Sequence, residues 1–301
     1  MFRLIRKLRA RAARLKMKGE YGYKSPKVNL GQIQSHINLS KQTISSINEV
    51  EFQVFSQFGD DGIIQWLINK IDIPNKTFVE FGVENYTESN TRFLLINNKW
   101  KGLVIDGSEA NIDYINKYDP ISHFFDLQAI SAFITKDNIN ELISRAKFEH
   151  EIGLLSIDID GNDYWVWKEI TVVNPVIVIC EYNALFGPNN SWTMPYTNDF
   201  VIGTTKPWNY WGASLQAFCD LAEQKGYSFI GCNSQGNNSY FIRNDKLGDI
   251  KKVLPSEGFR QAQFTLGVRK NGAYKSLQDK NDSIKGLEIF NVRTAQIEYI
   301  Q

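Results

Sequence analysis

The amino-acid sequence predicts a doubly wound, Rossmann-like α/β fold with a mostly parallel seven-stranded sheet and helices on both faces. Short apolar runs alternate with segments of helical periodicity from about residue 77 onward. Runs in which almost every residue is apolar are typical of parallel strands that are buried on both faces. A glycine directly after the first run, and acids at the ends of later runs, indicate ligand-binding turns at one edge of the sheet.

The predicted elements follow one another in a regular order. Strands are expected at 77–81, 102–106, 129–134, 152–158, 176–181, 227–232 and 239–243, with a late strand at 287–292. Helices are expected from 58–62 up to Pro74, at 87–98, 109–117, 137–147 and 163–170, after Ser214, and near 246–254. A loop at 184–212, rich in Asn, Pro, Trp and Tyr, interrupts the pattern. A loop of this length inside a domain is usually functional.

The basic N-terminus separates from the rest of the chain by its charge. Residues 1–20 hold eight Lys or Arg and one acid, a net charge of +7, whereas the whole chain is +1. Residues 2–18 fit a helix with one apolar stripe (Phe2, Ile5, Leu8, Ala12, Leu15) and otherwise basic faces. This helix could contact an anionic membrane peripherally, or be a solvated extension or a helix packed on the domain.

The chain divides into four predicted parts. These are a basic amphipathic helix at 1–20, a polar linker at 21–50, a domain at 51–245 that carries the chemistry, and a C-terminal extension at 246–301. A length of 301 residues is enough for one large domain with a substantial core.

The composition excludes several classes of protein. The near-neutral net charge gives no argument for a nucleic-acid partner. Three scattered histidines make a His-rich metal site or a Ser-His-Asp triad a poor fit. Three cysteines without a CxxC pair favour a reducing compartment, and neither a signal peptide nor a long apolar span is apparent. We therefore expect a cytoplasmic protein, with the inner face of the membrane as a peripheral site.

Two residues at strand ends predict a cofactor site. Gly82 follows the first strand directly, and Asp106 ends the second strand about twenty residues later. A glycine allows close approach of the backbone to a ligand, and an acid at the second position can bind ribose hydroxyls. The alternative is an ordinary βα turn beside an exposed acid.

These residues lie in segments that resemble motifs I and II of class I methyltransferases that use S-adenosylmethionine (SAM): Val79-Glu80-Phe81-Gly82 and Leu103-Val104-Ile105-Asp106-Gly107-Ser108. Ser56-Gln57-Phe58-Gly59-Asp60-Asp61-Gly62 and Ile157-Asp158-Ile159-Asp160-Gly161 resemble stretches of the FkbM-like group, which is associated with surface-polysaccharide biosynthesis. The resemblance covers about residues 52–245. It departs from the family where Glu84 and Tyr86 replace the later glycines of motif I.

The resemblance implies SAM as the cofactor. It places Glu80 and Gly82 at the methionine end and Asp106 at the ribose hydroxyls. In the same two turns, Glu84, Thr87, Gly107 and Ser108 are further candidates for binding the cofactor.

A second constellation follows strands four and five. Asp158 and Asp160 are two residues apart, as are Glu181 and Asn183, so each pair can face one side of an extended segment. Carboxylate and amide oxygens suit a hard cation such as Mg²⁺ or Mn²⁺. The arrangement is similar to that of metal-dependent O-methyltransferases, and Asp158 or Asp160 could act as the base. Alternatively, these acids bind hydroxyls or a backbone amide without a metal.

The loop at 184–212 offers side chains that suit a sugar acceptor, namely Asn189, Asn190, Trp192, Tyr196, Trp208, Tyr210 and Trp211. The alternative is that these side chains pack in the core. The function expected from the sequence is SAM-dependent methyl transfer to a hydroxyl of a sugar or glycan intermediate. The alternatives are a phosphatase of the haloacid-dehalogenase type, which would use Asp158 and Asp160 of the DxDG stretch, or a methyltransferase-fold scaffold that has lost SAM.

Overall fold

A computed structural model describes residues 25–148, 150–263, 269–270, 273–274 and 276–301. Seven strands form the central sheet: β1 (Thr77–Phe81), β2 (Lys101–Asp106), β3 (Leu127–Ser131), β4 (His150–Ile157), β5 (Val173–Glu181), β7 (Tyr227–Cys232) and β8 (Asn238–Arg243). Outside it lie β6 (Trp192–Thr193), β9 (Arg269–Lys270), β10 (Ala273–Tyr274), β11 (Glu288–Asn291) and β12 (Gln296–Tyr299).

Ten helices accompany these strands within the described residues. They are α1 (Pro26–Leu39), α2 (Asp60–Lys70), α3 (Arg92–Asn98), α4 (Glu109–Lys117), α5 (Ile121–Phe124), α6 (Ile139–Arg145), α7 (Asp163–Glu169), α8 (Leu215–Gln224), α9 (Pro255–Gly258) and α10 (Leu277–Asp282). Each of them is too short or too polar to cross a membrane.

The strand order confirms the predicted fold class. The sheet runs β3-β2-β1-β4-β5-β8-β7, and β1 to β5 are parallel to one another. Only β8 is antiparallel to both of its neighbours, β5 and β7. The direction of winding reverses between β1 and β4, which is the position where a doubly wound sheet opens a crevice for a ligand.

Helices cover the central sheet on both faces because successive strand residues point to opposite sides. In β1, Val79 and Phe81 pack into a cluster with α6, α7 and α8, whereas Phe78 packs into a second cluster with α2, α3 and α4. All three side chains are fully buried. This two-sided burial explains why the strands are apolar at nearly every position.

The region predicted as a linker contains helix α1. Ser25 caps the helix by accepting a hydrogen bond from the Lys27 N–H, and Pro26 occupies the first turn. The inward positions Val28, Gly31, Ser35 and Asn38 are mostly small or polar, so the apolar periodicity of a helix is missing from the sequence. The predicted basic helix at 2–18 lies outside the described residues.

The prediction of a helix near 246–254 is wrong. A short 3-10 turn spans Asn244–Lys246, and helix α9 begins only at Pro255. Gly248 has a φ of +54°, which ends the right-handed turn, and the residue before a proline disfavours helical geometry.

The C-terminal residues pack onto the long loop. Strand β11 pairs with β12 on one side and with β6 of the 184–212 loop on the other. A separate small apolar cluster joins the two regions through Phe186, Met194, Tyr210, Ile284, Ile289 and Ile300. The loop is therefore supported by chain that follows the central sheet. The division of the chain into domains stays a prediction.

Candidate active site

A cleft of about 310 Å³ opens at the carboxyl ends of β1, β2 and β4, where the winding of the sheet reverses. Its volume lies within the range of small-molecule sites. No Lys, Arg or His is found among the described residues that line it. The lining residues are Gly82, Glu84, Ile105, Asp106, Gly107, Ala132, Phe133, Ile134, Asp158, Ile159, Asp160, Asn162, Phe200, Val201 and Ile202.

The backbone of the protein requires a glycine at position 82. Its φ is +70°, and a Cβ built on it would lie 1.5 Å from the carbonyl oxygen of Asp158. Its N–H donates to the carbonyl of Ile105 at 3.0 Å. Only glycine therefore allows the turn after β1 to lie between the ends of β2 and β4.

The two residues that replace the later glycines of motif I keep a glycine-like backbone. Glu84 has a φ of +47° and Tyr86 a φ of +63°. Surrounding contacts hold both in place: the Glu84 N–H donates to Asp106 Oδ2 at 2.7 Å, and the buried Tyr86 hydroxyl bonds Thr91 Oγ1 at 2.9 Å. The loop thus retains the left-handed conformation that glycine favours, at a cost of about 1–2 kcal/mol per residue.

Asp106 ties the turns after β1 and β2 together. Its Oδ2 accepts from Glu84 N, and its Oδ1 accepts from Ser108 N at 2.8 Å and Asn111 Nδ2 at 3.4 Å. The residue is 8% exposed, so the alternative is wrong in expecting an exposed acid, whereas the choice between a cofactor turn and an ordinary turn stays a prediction. An ionised carboxylate offers about four lone-pair positions, so Oδ2 keeps capacity for one further donor.

Three predicted cofactor residues hold loops instead of lining the cleft. The buried Glu80 carboxylate accepts from Ser89 Oγ at 2.6 Å, Asn90 N at 2.9 Å and Thr91 N at 3.1 Å, which fastens the segment before α3. Burial raises the pKa of Glu80, and these hydrogen bonds oppose the shift. Thr87 bonds Asn85 Oδ1, and Ser108 caps α4 through Asn111 N.

The apolar wall of the cleft was not among the predicted site residues. Ala132, Phe133 and Ile134 follow β3, which ends at Ser131 although the predicted strand extended to 134. These residues therefore lie in the turn beyond the strand and line the cleft beside Asp106, to whose carbonyl the Ala132 N–H donates at 3.0 Å. Phe133 is 46% exposed, and its partly exposed ring is available to a ligand. The shared edge formed by the carboxyl ends of the strands was the signal that could have found them.

A segment of the long loop closes the other side. Phe200, Val201 and Ile202 line the cleft, and a Cβ on Gly161 would collide with the Phe200 ring at 2.4 Å. Asn162 Nδ2 donates to the Thr197 carbonyl at 2.7 Å and anchors the segment. The loop thus contributes apolar side chains to the site.

Three carboxylates meet beside the cleft. Ligand oxygens of Asp158, Asp160 and Glu181 lie within 4.8 Å of one another. The register of β4 and β5 pairs Ile157 with Cys180, so the next residues, Asp158 and Glu181, are neighbours across the two strands. The buried Oε2 of Glu181 has no hydrogen-bond partner among the described residues. The three acids predicted as metal ligands are therefore brought together.

Negative charge in this cluster is poorly compensated. Burial raises the pKa of Asp158 well above its usual range, and Asp160 and Asp163 raise it further. Burial, followed by repulsion from Asp158, also raises the pKa of Glu181. For Asp160, desolvation and then repulsion from Asp163 and Glu84 raise the pKa to about 6. Such a cluster needs a proton or a cation, and oxygen ligands of this kind suit a divalent ion.

Asp163 shapes the turn that presents the cluster. This fully buried carboxylate accepts from Ile159 N at 2.8 Å and Gly161 N at 2.9 Å. Between these two bonds, Asp160 takes a φ of +56°. Asp163, which was not a predicted site residue, therefore fixes the backbone geometry of Asp160, which was.

The structure assigns the fourth predicted ligand, Asn183, to the loop. Its Nδ2 donates to the carbonyls of Asn209 and Trp211, both at 3.0 Å, and its Oδ1 accepts from Leu185 N at 3.1 Å. Because all of these bonds go to the 184–212 loop, we leave Asn183 out of the candidate cation site.

The aromatic residues that were predicted to bind a sugar differ in their exposure. Tyr210 and Trp211 are buried, which favours the packing alternative for both. Trp208 is exposed, whereas Trp192 and Tyr196 are half-buried. Trp192 donates to Glu298, and Tyr196 accepts from Lys136 N.

The acidic pair in Ser56-Gln57-Phe58-Gly59-Asp60-Asp61-Gly62 is structural. Asp61 Oδ2 accepts from the N–H groups of Val54, Phe55 and Ser56 at 2.7–2.8 Å. Burial raises the pKa of Asp61 to about 6, against these hydrogen bonds. Asp60 is also fully buried and accepts from Asn233, Asn238 and Tyr240 in the turn between β7 and β8 and at the start of β8.

Known proteins resemble this chain only distantly. No family model matches the sequence, and no curated protein matches it. Among solved structures, the N-terminal domain of EvdMO1 with SAH bound has a TM-score of 0.41 at 8% identity, over 70% of this chain and 94% of that chain. A putative caffeoyl-CoA O-methyltransferase from Staphylococcus aureus has a TM-score of 0.38 at 16% identity, over 70% and 99%.

An O-methyltransferase from Bacillus cereus in complex with SAH has a TM-score of 0.36 at 13% identity, over 73% of this chain and 90% of that chain. Because these likenesses are distant, the fold assignment depends on the strand order of the sheet itself. That order is typical of the Rossmann-like methyltransferase fold.

Proposed function

We propose that this protein transfers a methyl group from SAM to a hydroxyl of a sugar or glycan intermediate, with a divalent cation such as Mg²⁺ or Mn²⁺ held by Asp158, Asp160 and Glu181. The observation that carries the proposal is the meeting of two features at one crevice. The turns of Gly82, Glu84 and Asp106 form one side, and three clustered carboxylates lie next to them.

The residues present fit the cofactor. Asp106 retains a lone pair for a ribose hydroxyl, and Gly107 leaves the space above it open, with the nearest atom to an added Cβ being a Phe133 ring carbon at 3.7 Å. The turn of Ala132, Phe133 and Ile134 supplies an apolar surface for a purine ring. When bound, SAM supplies the activated methyl group.

The residues present also fit a cation. Glu181 Oε2 is buried and has no hydrogen-bond partner in the part of the chain that the structure describes, and a divalent ion would satisfy this oxygen together with those of Asp158 and Asp160. When bound, the cation would lower the pKa of an acceptor hydroxyl.

The side chains of this protein mainly position the reacting groups and provide a proton acceptor. Asp163 holds the turn from Asp158 to Gly161, so Asp160 stays at the mouth of the cleft. Asp160, which lines the cleft, would accept the proton of the acceptor hydroxyl as a general base. Phe200 and its neighbours exclude water from one side. The sugar acceptor is supported by the resemblance of the sequence to the FkbM-like group.

The proposal is tested by measuring equilibrium binding of S-adenosylhomocysteine and of Mn²⁺ to three variants. Asp106→Asn should weaken binding of the nucleoside by about tenfold or more and leave Mn²⁺ affinity unchanged, since a hydrogen bond to a charged group is worth about 1.5–3 kcal/mol. Asp160→Asn should weaken Mn²⁺ binding and leave the affinity for S-adenosylhomocysteine unchanged. The matched control, Asp113→Asn on the exposed face of α4, should change neither.

The alternatives give different results. A scaffold would bind neither ligand in the wild-type protein. A phosphatase would bind the cation alone and would release phosphate from a phosphomonoester in an Asp158-dependent reaction. Either result would overturn the proposed methyl transfer.

A further inference from the structure

Helix α1 turns its larger aliphatic side chains away from the protein. Leu30, Ile33 and Ile37 are 65%, 58% and 51% exposed and recur at spacings of three and four, so they form one stripe. On the opposite side, Val28, Gly31, Ser35 and Asn38 are buried. An added Cβ on Gly31 would lie 2.5 Å from Val54 and 2.8 Å from Phe93, so the close approach of α1 to the domain requires this side to be small. The usual amphipathic pattern is therefore inverted.

In the sequence, helix α1 follows shortly after the most basic part of the chain. Residues 1–20 carry a net charge of +7, and five residues separate them from the start of α1. Helix α1 contains Lys27 and no acidic residue. An apolar stripe beside dense positive charge, with no acid on the same helix, is the combination that binds the surface of an anionic bilayer.

We infer that the face of α1 formed by Leu30, Ile33 and Ile37 inserts into the interface of an anionic membrane, with the basic segment binding the lipid headgroups. Charge complementarity favours this occupant over two others. If residues 2–18 folded back over the stripe, a strongly positive segment would lie against a positive helix. A second copy of the chain would bring two such segments together. The inference does not depend on the proposed methyl transfer.

The test is co-sedimentation of the full chain with vesicles of phosphatidylglycerol and phosphatidylcholine in equal parts. The wild-type protein should bind these vesicles, bind pure phosphatidylcholine weakly, and dissociate as salt is raised. The variant Leu30→Gln/Ile33→Gln/Ile37→Gln should bind at least about tenfold more weakly, because three apolar side chains lose their burial in lipid. These side chains are exposed, so the substitutions leave the core intact.

A matched control replaces three exposed aliphatic residues elsewhere. Leu254, Leu277 and Ile297 are 62%, 50% and 47% exposed, and changing all three to Gln should leave vesicle binding unchanged. Equal binding by the α1 variant and the wild type would overturn the inference. So would failure of the wild-type protein to bind the anionic vesicles.

A fluorescent label distinguishes the other occupants. Ile33→Cys with an environment-sensitive fluorophore should shift to the blue only when anionic vesicles are added. The native cysteines are buried (Cys180, Cys232) or half-buried (Cys219) and should label poorly. A blue-shifted emission in dilute protein without lipid would mean that the chain covers its own stripe. A shift that depends on protein concentration would mean a second copy. Either result would contradict membrane insertion.

Discussion

The carbonyl oxygen of Asp158 lies where a side chain on Gly82 would begin, since an added Cβ would be 1.5 Å from it. This contact joins the turn after β1, which belongs to the candidate cofactor site, to the turn after β4, which carries the acidic cluster. The two halves of the site are therefore built against each other by backbone atoms.

Gly82→Ala should destabilise the protein by at least about 3 kcal/mol, because a positive φ and a direct backbone collision act together. Gly226 is the matched control: its φ is +81°, but nothing lies within 4 Å of an added Cβ. Gly226→Ala should cost only about 1–2 kcal/mol. Urea unfolding of the two variants gives both values, and equal losses would contradict the role assigned to the contact with Asp158.

Glu84→Gly should leave the free energy of unfolding unchanged or raise it by up to about 1.5 kcal/mol. The strain released at a φ of +47° offsets or exceeds the greater freedom of glycine in the unfolded chain. Glu109→Gly in the first turn of α4 is the control and should cost about 0.5–1 kcal/mol. A loss at Glu84 as large as that at Glu109 would show that the loop is not strained.

The raised pKa of Asp61 predicts that the free energy of unfolding falls as the pH rises from about 4 to about 6. Its pKa is raised from 3.8 to about 6 in the folded protein, so the folded state binds the proton more tightly than the unfolded state. The stabilisation that this proton provides is present at low pH and is lost as the pH rises through about 6, to an extent of up to about 3 kcal/mol.

Asp61→Asn isolates this effect, because other buried acids titrate in both proteins. Urea unfolding gives the free energy of unfolding of both proteins. The value for the wild type minus the value for the variant should decrease from pH 4 to pH 6.5, because only the wild type loses the stabilisation by the Asp61 proton. A difference that stays constant over this range would contradict the raised pKa of Asp61.

Local pattern was sufficient for most of the fold. The predicted bounds of β1, β7 and α4 (77–81, 227–232 and 109–117) match the structure. Apolar periodicity and turn residues act within a few positions, so a single sequence records them. Helix α1 was not predicted, because Gly31, Ser35 and Asn38 pack on its inward side and such residues give no apolar periodicity.

The candidate site was less predictable, because the partner of a polar side chain depends on distant parts of the chain. Glu80 and Asn183 have the residue types expected of ligand-binding groups, yet both hold loops. Asp158, Asp160 and Glu181 came together because strand register, which follows from the fold class, makes them neighbours. Phe133 was missed because the end of β3 was placed three residues too late.

The most direct test of the central claim is calorimetric titration of the wild-type protein with S-adenosylhomocysteine, with and without Mg²⁺ or Mn²⁺. The account predicts binding in the micromolar range, and a change in affinity or heat when the cation is present, because the acidic cluster adjoins the cofactor turns. Absence of binding under both conditions would contradict the assignment of the cleft to SAM.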